Sequence, residues 1–300
     1  MEGGLVAEVV LPLAIFLIMV SLGMALVIDD FRRVLAAPKQ VGVGLLCQLV
    51  LLPLLGFAVA SLFDLEPVFA VSIVLLAAAP GGTTSNLVVH AADVDRALSV
   101  TLTALSNSVV WLTMPFLLDL GFRTFGDEGV AIDFPVGEVM LQVAALTIVP
   151  VIIGMAIRHR APAWAERVAD RSKIAAGAFL GLVIVALVIQ EWDLVVSDGP
   201  RFAPAFIVLN AAALAVGYGV ARLARIAWDQ ALTISVETGL QNSTLAITIA
   251  ISVLDDGDLA IIPGLYGVWM LATGFLFAIW LARREDAAHH PRASEPLDAT

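Results

Sequence analysis

Charge is scarce in this 300-residue chain. Asp, Glu, Lys and Arg together make up 14% of it, well short of the roughly one quarter usual in a soluble domain. Cysteine is nearly absent; Cys47 stands alone, which excludes an intramolecular disulfide and any cysteine-rich metal centre. Of four histidines, His289 and His290 sit together in a polar C-terminal stretch, too few ligands for a structural metal. Basic residues are outnumbered, 16 Lys and Arg against 27 Asp and Glu, for a net charge of −11. That balance excludes nucleic acid as a partner.

Long apolar runs fill the space left by these absences. Hydrophobic residues make up 60% of the chain and the mean hydropathy is +0.96, so the lipid bilayer is the expected solvent for most side chains. Nine candidate spans follow, at about 5–28, 41–62, 68–91, 97–118, 136–157, 174–190, 203–225, 230–254 and 260–282. Each is near the length that crosses roughly 30 Å of hydrocarbon at 1.5 Å per residue. None has the broad polar face of a helix half-buried in a soluble core. The first lacks a basic leader and exceeds a signal-peptide core, so it reads as an anchor.

Lys and Arg set the orientation. Fourteen of the 16 fall on one side of these spans, leaving only Arg123 and Arg201 on the other. The basic side is the cytoplasmic one, with the N-terminus outside and the C-terminus inside a plasma (inner) membrane. The residues after Arg284 are polar and rich in Pro and Ala, and are expected to be disordered.

Two spans are interrupted at mid-depth. In the third, Pro80 removes a backbone donor and Gly81 and Gly82 free the chain to unwind, with Thr83, Thr84, Ser85 and Asn86 following at once. In the eighth, Glu237, Thr238, Gly239, Gln241, Asn242, Ser243 and Thr244 break the apolar pattern. Either segment alone reads as helix packing. Two such segments in oppositely directed spans point to a transporter of inverted repeats, whose unwound carbonyls take cations and whose half-helix N-termini face anions. Irregular backbone at this depth has to line a cavity or be buried in protein.

Glu237 is the sharpest single residue. It lies about seven residues into its span, roughly 10 Å deep by helix rise, while the other acids fall at span ends or in loops. A carboxylate there costs at least a few kcal/mol unless paired or neutralised, and no Lys or Arg shares its depth. A bound cation, a proton, or hydroxyl and amide donors remain as partners. Carboxylate, amide, hydroxyl and carbonyl oxygens suit a hard cation such as sodium.

At these residues the sequence resembles the bile acid:sodium symporter family. PGGTTSN (80–86) is similar to that family's first crossover motif and ETGLQNS (237–243) to its second, and DDFRRVLAAPK (29–39) is family-like too. The resemblance covers about residues 10–282. It implies an all-α polytopic membrane protein of nine transmembrane helices in inverted repeats, with two discontinuous crossing helices and with panel and core domains. The first repeat would be residues 1–122, four helices lacking the family's first. An external loop at 123–135, a second repeat of five helices at 136–284 and a cytoplasmic tail at 285–300 would follow.

The resemblance also implies two sodium sites. The first would use Ser85, Asn86, Ser99, Thr103 and Glu237. The second would use Gln48, Glu237, Thr238, Leu240 and Gln241. Ser99 and Thr103, four residues apart, share a helix face. Thr83 and Asn242 are the expected substrate contacts, where a half-helix end suits a carboxylate. Some bile-acid-type members carry polar residues after the Trp of the last helix; here Trp269 is followed by Met270 and Leu271, so bile acid is not implied as cargo. The expected activity is sodium-coupled symport of a small organic anion by alternating access. A proton-coupled or uncoupled carrier and an oxyanion exporter are the alternatives. An intramembrane enzyme is the remote one, since no catalytic constellation lies inside a span.

Overall fold

The computed structural model describes residues 11–27, 32, 34–126, 134–165, 167–168, 182, 185, 189 and 192–289. Among these the chain is helical throughout, without strands beyond one isolated bridge. Helix α1 is Leu11–Ala25. Helices α2 (Pro38–Leu46) and α3 (Leu52–Leu62) run on through a π-turn at Cys47–Leu51. The third expected span appears as two half-helices, α4 (Pro67–Ala78) and α5 (Thr83–Ala91). Then come α6 (Arg96–Phe125), α7 (Val136–Arg160) and α8 (Trp192–Leu223). The eighth span is again split, into α9 (Trp228–Gly239) and α10 (Ser243–Thr248), the latter extended by a π-turn at Ile249–Val253. A 3₁₀ turn at Asp258–Ala260 leads into α11 (Ile261–His289). Five of these helical stretches are long and apolar enough to cross a membrane: Pro38–Leu62, Arg96–Phe125, Val136–Arg160, Trp192–Leu223 and Asp258–Ile279.

Three boundaries differ from the sequence expectation. Helix α8 is already formed at Trp192, well before the start expected near 203, and passes through Pro200 and Pro204. Its polar opening turns end the apolar run without ending the helix. Helix α6 continues to Phe125, which shortens the external loop expected at 123–135. Helix α11 continues to His289, five residues into the tail expected to be disordered; the Ala and Glu there are good helix formers. The expected span at 174–190 lies outside the described residues except for helical positions 182, 185 and 189.

The core forms two apolar clusters. One joins α3, α4, α5, α8, α9 and α11 around Phe69, Ile73, Leu76, Phe202, Leu209 and Tyr266. The other joins α1, α4, α6, α7 and α10 around Ile15, Met19, Val71, Leu75, Met114, Val143 and Ile249. Helix α4 belongs to both. Helices α1 and α7 meet backbone to backbone. A Cβ on Gly154 would lie 2.1 Å from the Val20 carbonyl oxygen, and one on Gly23 would lie 2.2 Å from that of Val151. Small residues permit such an approach in lipid, where packing rather than hydrophobic exclusion holds helices together. Arg123 and Arg201, expected on the outer side, are each ion-paired: Arg123 with Asp119, and Arg201 with Glu66 and Asp198.

Candidate cation site at the joined breaks

The first break begins where a proline dictates. Pro80 forces the residue before it out of the helical region, and Ala79 is extended at φ −71°, ψ 139°. Gly82 is extended as well. In the second break Leu240 is extended at φ −112°, ψ 106°, and the Asn242 side chain caps α10 by accepting from the Leu245 N–H at 3.1 Å. The two breaks pair with each other. Gly81 and Gln241 form an antiparallel bridge, and the Asn242 N–H donates to the Pro80 carbonyl at 2.8 Å.

Unwinding frees carbonyls, and buried carbonyls have to be satisfied in a bilayer. Here side chains do that work. Asn107 Nδ2 donates to Gly81 O at 3.1 Å and Ser85 Oγ to Gly82 O at 2.8 Å. Gln48 Nε2 donates to Glu237 O at 2.9 Å, and Gln241 Nε2 to Thr238 O. Asn210 Nδ2 donates to Gly239 O at 2.9 Å, and the Tyr266 hydroxyl donates to the same oxygen.

The Glu237 carboxylate sits at the centre, fully buried. Its Oε1 accepts from Ser99 Oγ at 2.5 Å, and its Oε2 from Thr103 Oγ1 at 2.9 Å and Gln48 Nε2 at 3.4 Å. Ser99 Oγ also lies 2.6 Å from Asn86 Oδ1, and Thr103 Oγ1 lies 3.3 Å from it. A hydroxyl has one proton to give. Ser99 therefore faces two acceptors with one proton, and so does Thr103. The cluster holds more oxygen lone pairs than hydrogens to fill them. Two further buried amide oxygens, Gln48 Oε1 and Gln241 Oε1, have no hydrogen-bond partner. Gly81 is what admits the carboxylate, since a Cβ there would lie 2.5 Å from Glu237 Oε2.

Of the residues expected at the first sodium site, Asn86, Ser99, Thr103 and Glu237 are in direct contact. Ser85 is adjacent, its hydroxyl turned to Gly82. Of the second set, Gln48 touches Glu237 through both its carboxylate and its carbonyl. Gln241 folds onto Thr238, and Leu240 lies in the extended link. Gln48 occupies the π-turn at Cys47–Leu51, where the Leu52 N–H reaches back to Cys47 O. Pro53 supplies the cause, because it cannot donate and crowds the carbonyl four residues before it. Among the described residues no cation pairs with Glu237. No three His, Cys, Asp or Glu side chains gather there to hold a metal. The donor set, one carboxylate among neutral oxygens, suits a hard cation.

Sequence reasoning missed Asn107, Asn210 and Tyr266. Asn107 follows Ser99 and Thr103 at the same four-residue interval on α6, a stripe visible in the sequence. It is 4% exposed and its Oδ1 has no hydrogen-bond partner. It also lines a cavity of about 300 Å³ between α1 (Leu22, Leu26), α6 (Ala104, Asn107, Ser108) and α7 (Thr147, Ile148, Val151, Ile152, Met155). Thr83 and Asn242 do not line that cavity. Thr83 is half-buried in the first turn of α5, and Asn242 packs against Gly82 at the bridge.

The Sodium Bile acid symporter family model matches residues 12–198, more than half of the chain. That match ends before the second break, but curated relatives align across it. The human ileal sodium/bile acid cotransporter is 29% identical over 279 residues, covering 91% of this chain and 78% of that protein. The bovine sodium-dependent organic anion transporter is 29% identical over an alignment of 314 residues, covering 99% and 82%. A rice protein named as a probable sodium/metabolite cotransporter BASS1, chloroplastic, is 29% identical over 232 residues, covering 77% and 56%. These are transporters, not enzymes. With its apolar helices and paired breaks, the chain belongs to the sodium bile acid symporter family, a multi-pass membrane transporter.

Proposed function

We propose that this protein couples the movement of sodium to that of a small organic anion in the same direction, with sodium held at the joined breaks. The observation that carries the reading is the surplus of acceptors around Glu237. Asn86 Oδ1 and both carboxylate oxygens share two hydroxyl protons and one long amide contact from Gln48 at 3.4 Å, and a cation would supply the missing positive charge. Without one, a fully buried carboxylate in a membrane protein is costly.

The first sodium would use Ser85, Asn86, Ser99, Thr103 and Glu237. The second would use Gln48, Gln241, Glu237 and the carbonyls of Thr238 and Leu240, drawing on the two unpartnered amide oxygens. The anion would occupy the cavity between α6 and the α1–α7 pair and reach towards Thr83 and Asn242, where the α5 N-terminus favours negative charge. Its walls are mostly aliphatic, so the cargo has an apolar body beside its carboxylate. The relatives' named substrates, bile acid and organic anion, agree with that class.

The mechanism is alternating access in a plasma membrane, with the N-terminus outside and the C-terminus cytoplasmic. The core carrying the breaks rocks against a panel that includes α1 and α7. An inverted repeat, with halves at about 1–122 and 136–284, is supported by the helix ends. Among the described residues, the non-glycine residues of positive φ are Asp64, Asp93, Arg225 and Asp255. They end α3, α5, α8 and the α10 segment, and Asp64 stands as far before Arg225 as Asp93 before Asp255, to within one residue. Sodium and anion have to favour the same state, and each then raises the other's affinity by the same factor.

The test is thermal unfolding of the purified protein in NaCl against matched KCl and choline chloride. Binding to the folded state raises stability with ligand concentration. Stabilisation by sodium alone, followed by uptake of a labelled carboxylate with an apolar body, such as cholate, into proteoliposomes under a sodium gradient, supports the reading. Absence of a sodium effect removes the coupling claim and leaves proton coupling or facilitated diffusion.

A further inference from the structure

Outside the set of residues facing Glu237, one polar pair is buried with no ligand of its own to bind. Asn210 on α8 is 1% exposed and Tyr266 on α11 is fully buried. Both donate to a single oxygen, the carbonyl of Gly239, and Asn210 Nδ2 also lies 3.2 Å from the Tyr266 hydroxyl. An amide and a phenol in the interior of a membrane protein are costly unless hydrogen-bonded. Apolar side chains would fill the same volume without that cost, so the pair reads as a device for fixing Gly239.

Gly239 is the last residue of α9, two after Glu237 and one before the extended Leu240. Its carbonyl stands at the end of a half-helix, where helical partners run out. A peptide unit is a rigid plane, so pinning Gly239 O also fixes the Leu240 N–H, which donates to Val236 O at 2.9 Å. The neighbouring carbonyls are pinned separately, Glu237 O by Gln48 and Thr238 O by Gln241. Three consecutive peptides are thus held by side chains, and only the third is held from outside the residues expected to bind cation. Helix α8 is seated to do this. A Cβ on Gly239 would fall 2.5 Å from Leu214 side-chain carbons, Ser235 Oγ donates to Leu214 O at 2.7 Å, and Gly217 admits the backbone of Ser235.

We infer that Asn210 and Tyr266 are positioning residues of the cation site, acting through the Gly239 carbonyl to hold the unwound end of α9 in its cation-accepting shape. Neither touches Glu237. Through them α8 and α11, which carry none of the expected sodium ligands, gain a hold on sodium affinity. The inference rests on the reading of the breaks as a sodium site.

The full-length purified chain decides it. Unfolding temperature is measured against NaCl concentration, with choline chloride keeping ionic strength constant, for wild type, Tyr266→Phe, Asn210→Leu and the double variant. Ser72→Ala serves as control. It removes a buried hydroxyl that donates to Leu259 O at 2.7 Å, outside the hydrogen bonds of Glu237. Each single variant is expected to raise the sodium midpoint about three- to tenfold, and the double variant further, the two losses being non-additive because they share one acceptor. Ser72→Ala is expected to lower stability in choline and leave the midpoint in place.

If Tyr266→Phe and Asn210→Leu behave like Ser72→Ala, with lower stability but an unshifted midpoint, the pair is structural and the inference fails while the sodium site stands. If wild type itself ignores sodium, the site reading fails and takes the inference with it. Should Asn210→Leu not fold, Tyr266→Phe keeps its ring and decides alone.

Discussion

At the joined breaks Gly81 leaves room for a carboxylate, whereas between α1 and α7 Gly23 and Gly154 leave room for backbone. The missing Cβ does the same steric work in both places, to opposite ends. At the breaks the closeness brings a buried carboxylate and amide oxygens without partners together, and six side-chain donors hold the freed carbonyls. Along the α1–α7 seam the closeness is backbone against backbone, and among the described residues no buried side-chain polar atom there lacks a partner. A region dense in buried polar groups sits beside a region of close helix packing. The cavity lies between them.

The largest effect expected from breaking this contrast is at Glu237. Glu237→Gln keeps the shape of the side chain but removes its charge and replaces one accepting oxygen by an NH2 donor. Stabilisation by sodium should vanish, while unfolding temperature in choline chloride should hold or rise, because a buried charge has been removed. A variant that still responds to sodium would place the cation elsewhere. Next in size is Gly154→Val, which drives two methyl groups into the Val20 carbonyl and the Gly23 Cα. Overpacking of this kind costs about 1–3 kcal/mol or more. The expected outcome is a lower unfolding temperature in sodium and choline alike, with the sodium midpoint unmoved in the protein that folds. A shifted midpoint would mean that the seam and the breaks are not separable.

Gly81→Ala is the intermediate case, since it applies the seam's steric insult to the breaks. The added Cβ would meet Glu237 Oε2 at 2.5 Å and Gln48 Nε2 at 2.8 Å, both side-chain ends that can shift. The fold should therefore survive. The sodium midpoint should rise about tenfold or more, equivalent to about 1.4 kcal/mol of lost affinity. Equal losses in sodium and choline would show that Gly81 serves packing alone.

How much of this was legible in the sequence follows the same division. The breaks announced themselves because Pro80, Gly81 and Gly82 violate helical chemistry, and because Glu237 is an acid where acids are costly. Gln48 was visible as an amide in an apolar run, though the π-turn that aims it was not, despite Pro53 five residues on. Asn107 continued the Ser99–Thr103 stripe and went unread. Asn210 and Tyr266 left no signal, since a single polar residue in a long apolar helix is indistinguishable from ordinary packing until its partner is known. Helix ends at the membrane edge were misjudged for a physical reason. Hydropathy reports where lipid stops, whereas a helix ends where its hydrogen bonds do, so α8 is already helical at Trp192 and α11 is still helical at His289.

The smallest expected effect tests whether the site's three supporting helices are held only at the site. Gln48 is in the π-turn that continues α2, Ser99 and Thr103 are on α6, and Glu237 is on α9. The same three elements meet again towards one end of the bundle. Gln40 Nε2 donates to Gln230 Oε1 at 3.1 Å, and Gln230 Nε2 donates to Asp95 Oδ2 at 3.1 Å, Asp95 being the N-cap of α6. These groups are only partly buried, so water competes for them, and each bond contributes about 1 kcal/mol or less. Gln230→Ala should therefore move the sodium midpoint by less than about threefold, with a small loss of stability in choline. A shift as large as that of Gly81→Ala would change the picture. It would mean that the register of α2, α6 and α9 is set from this end, and that the break only reads it out.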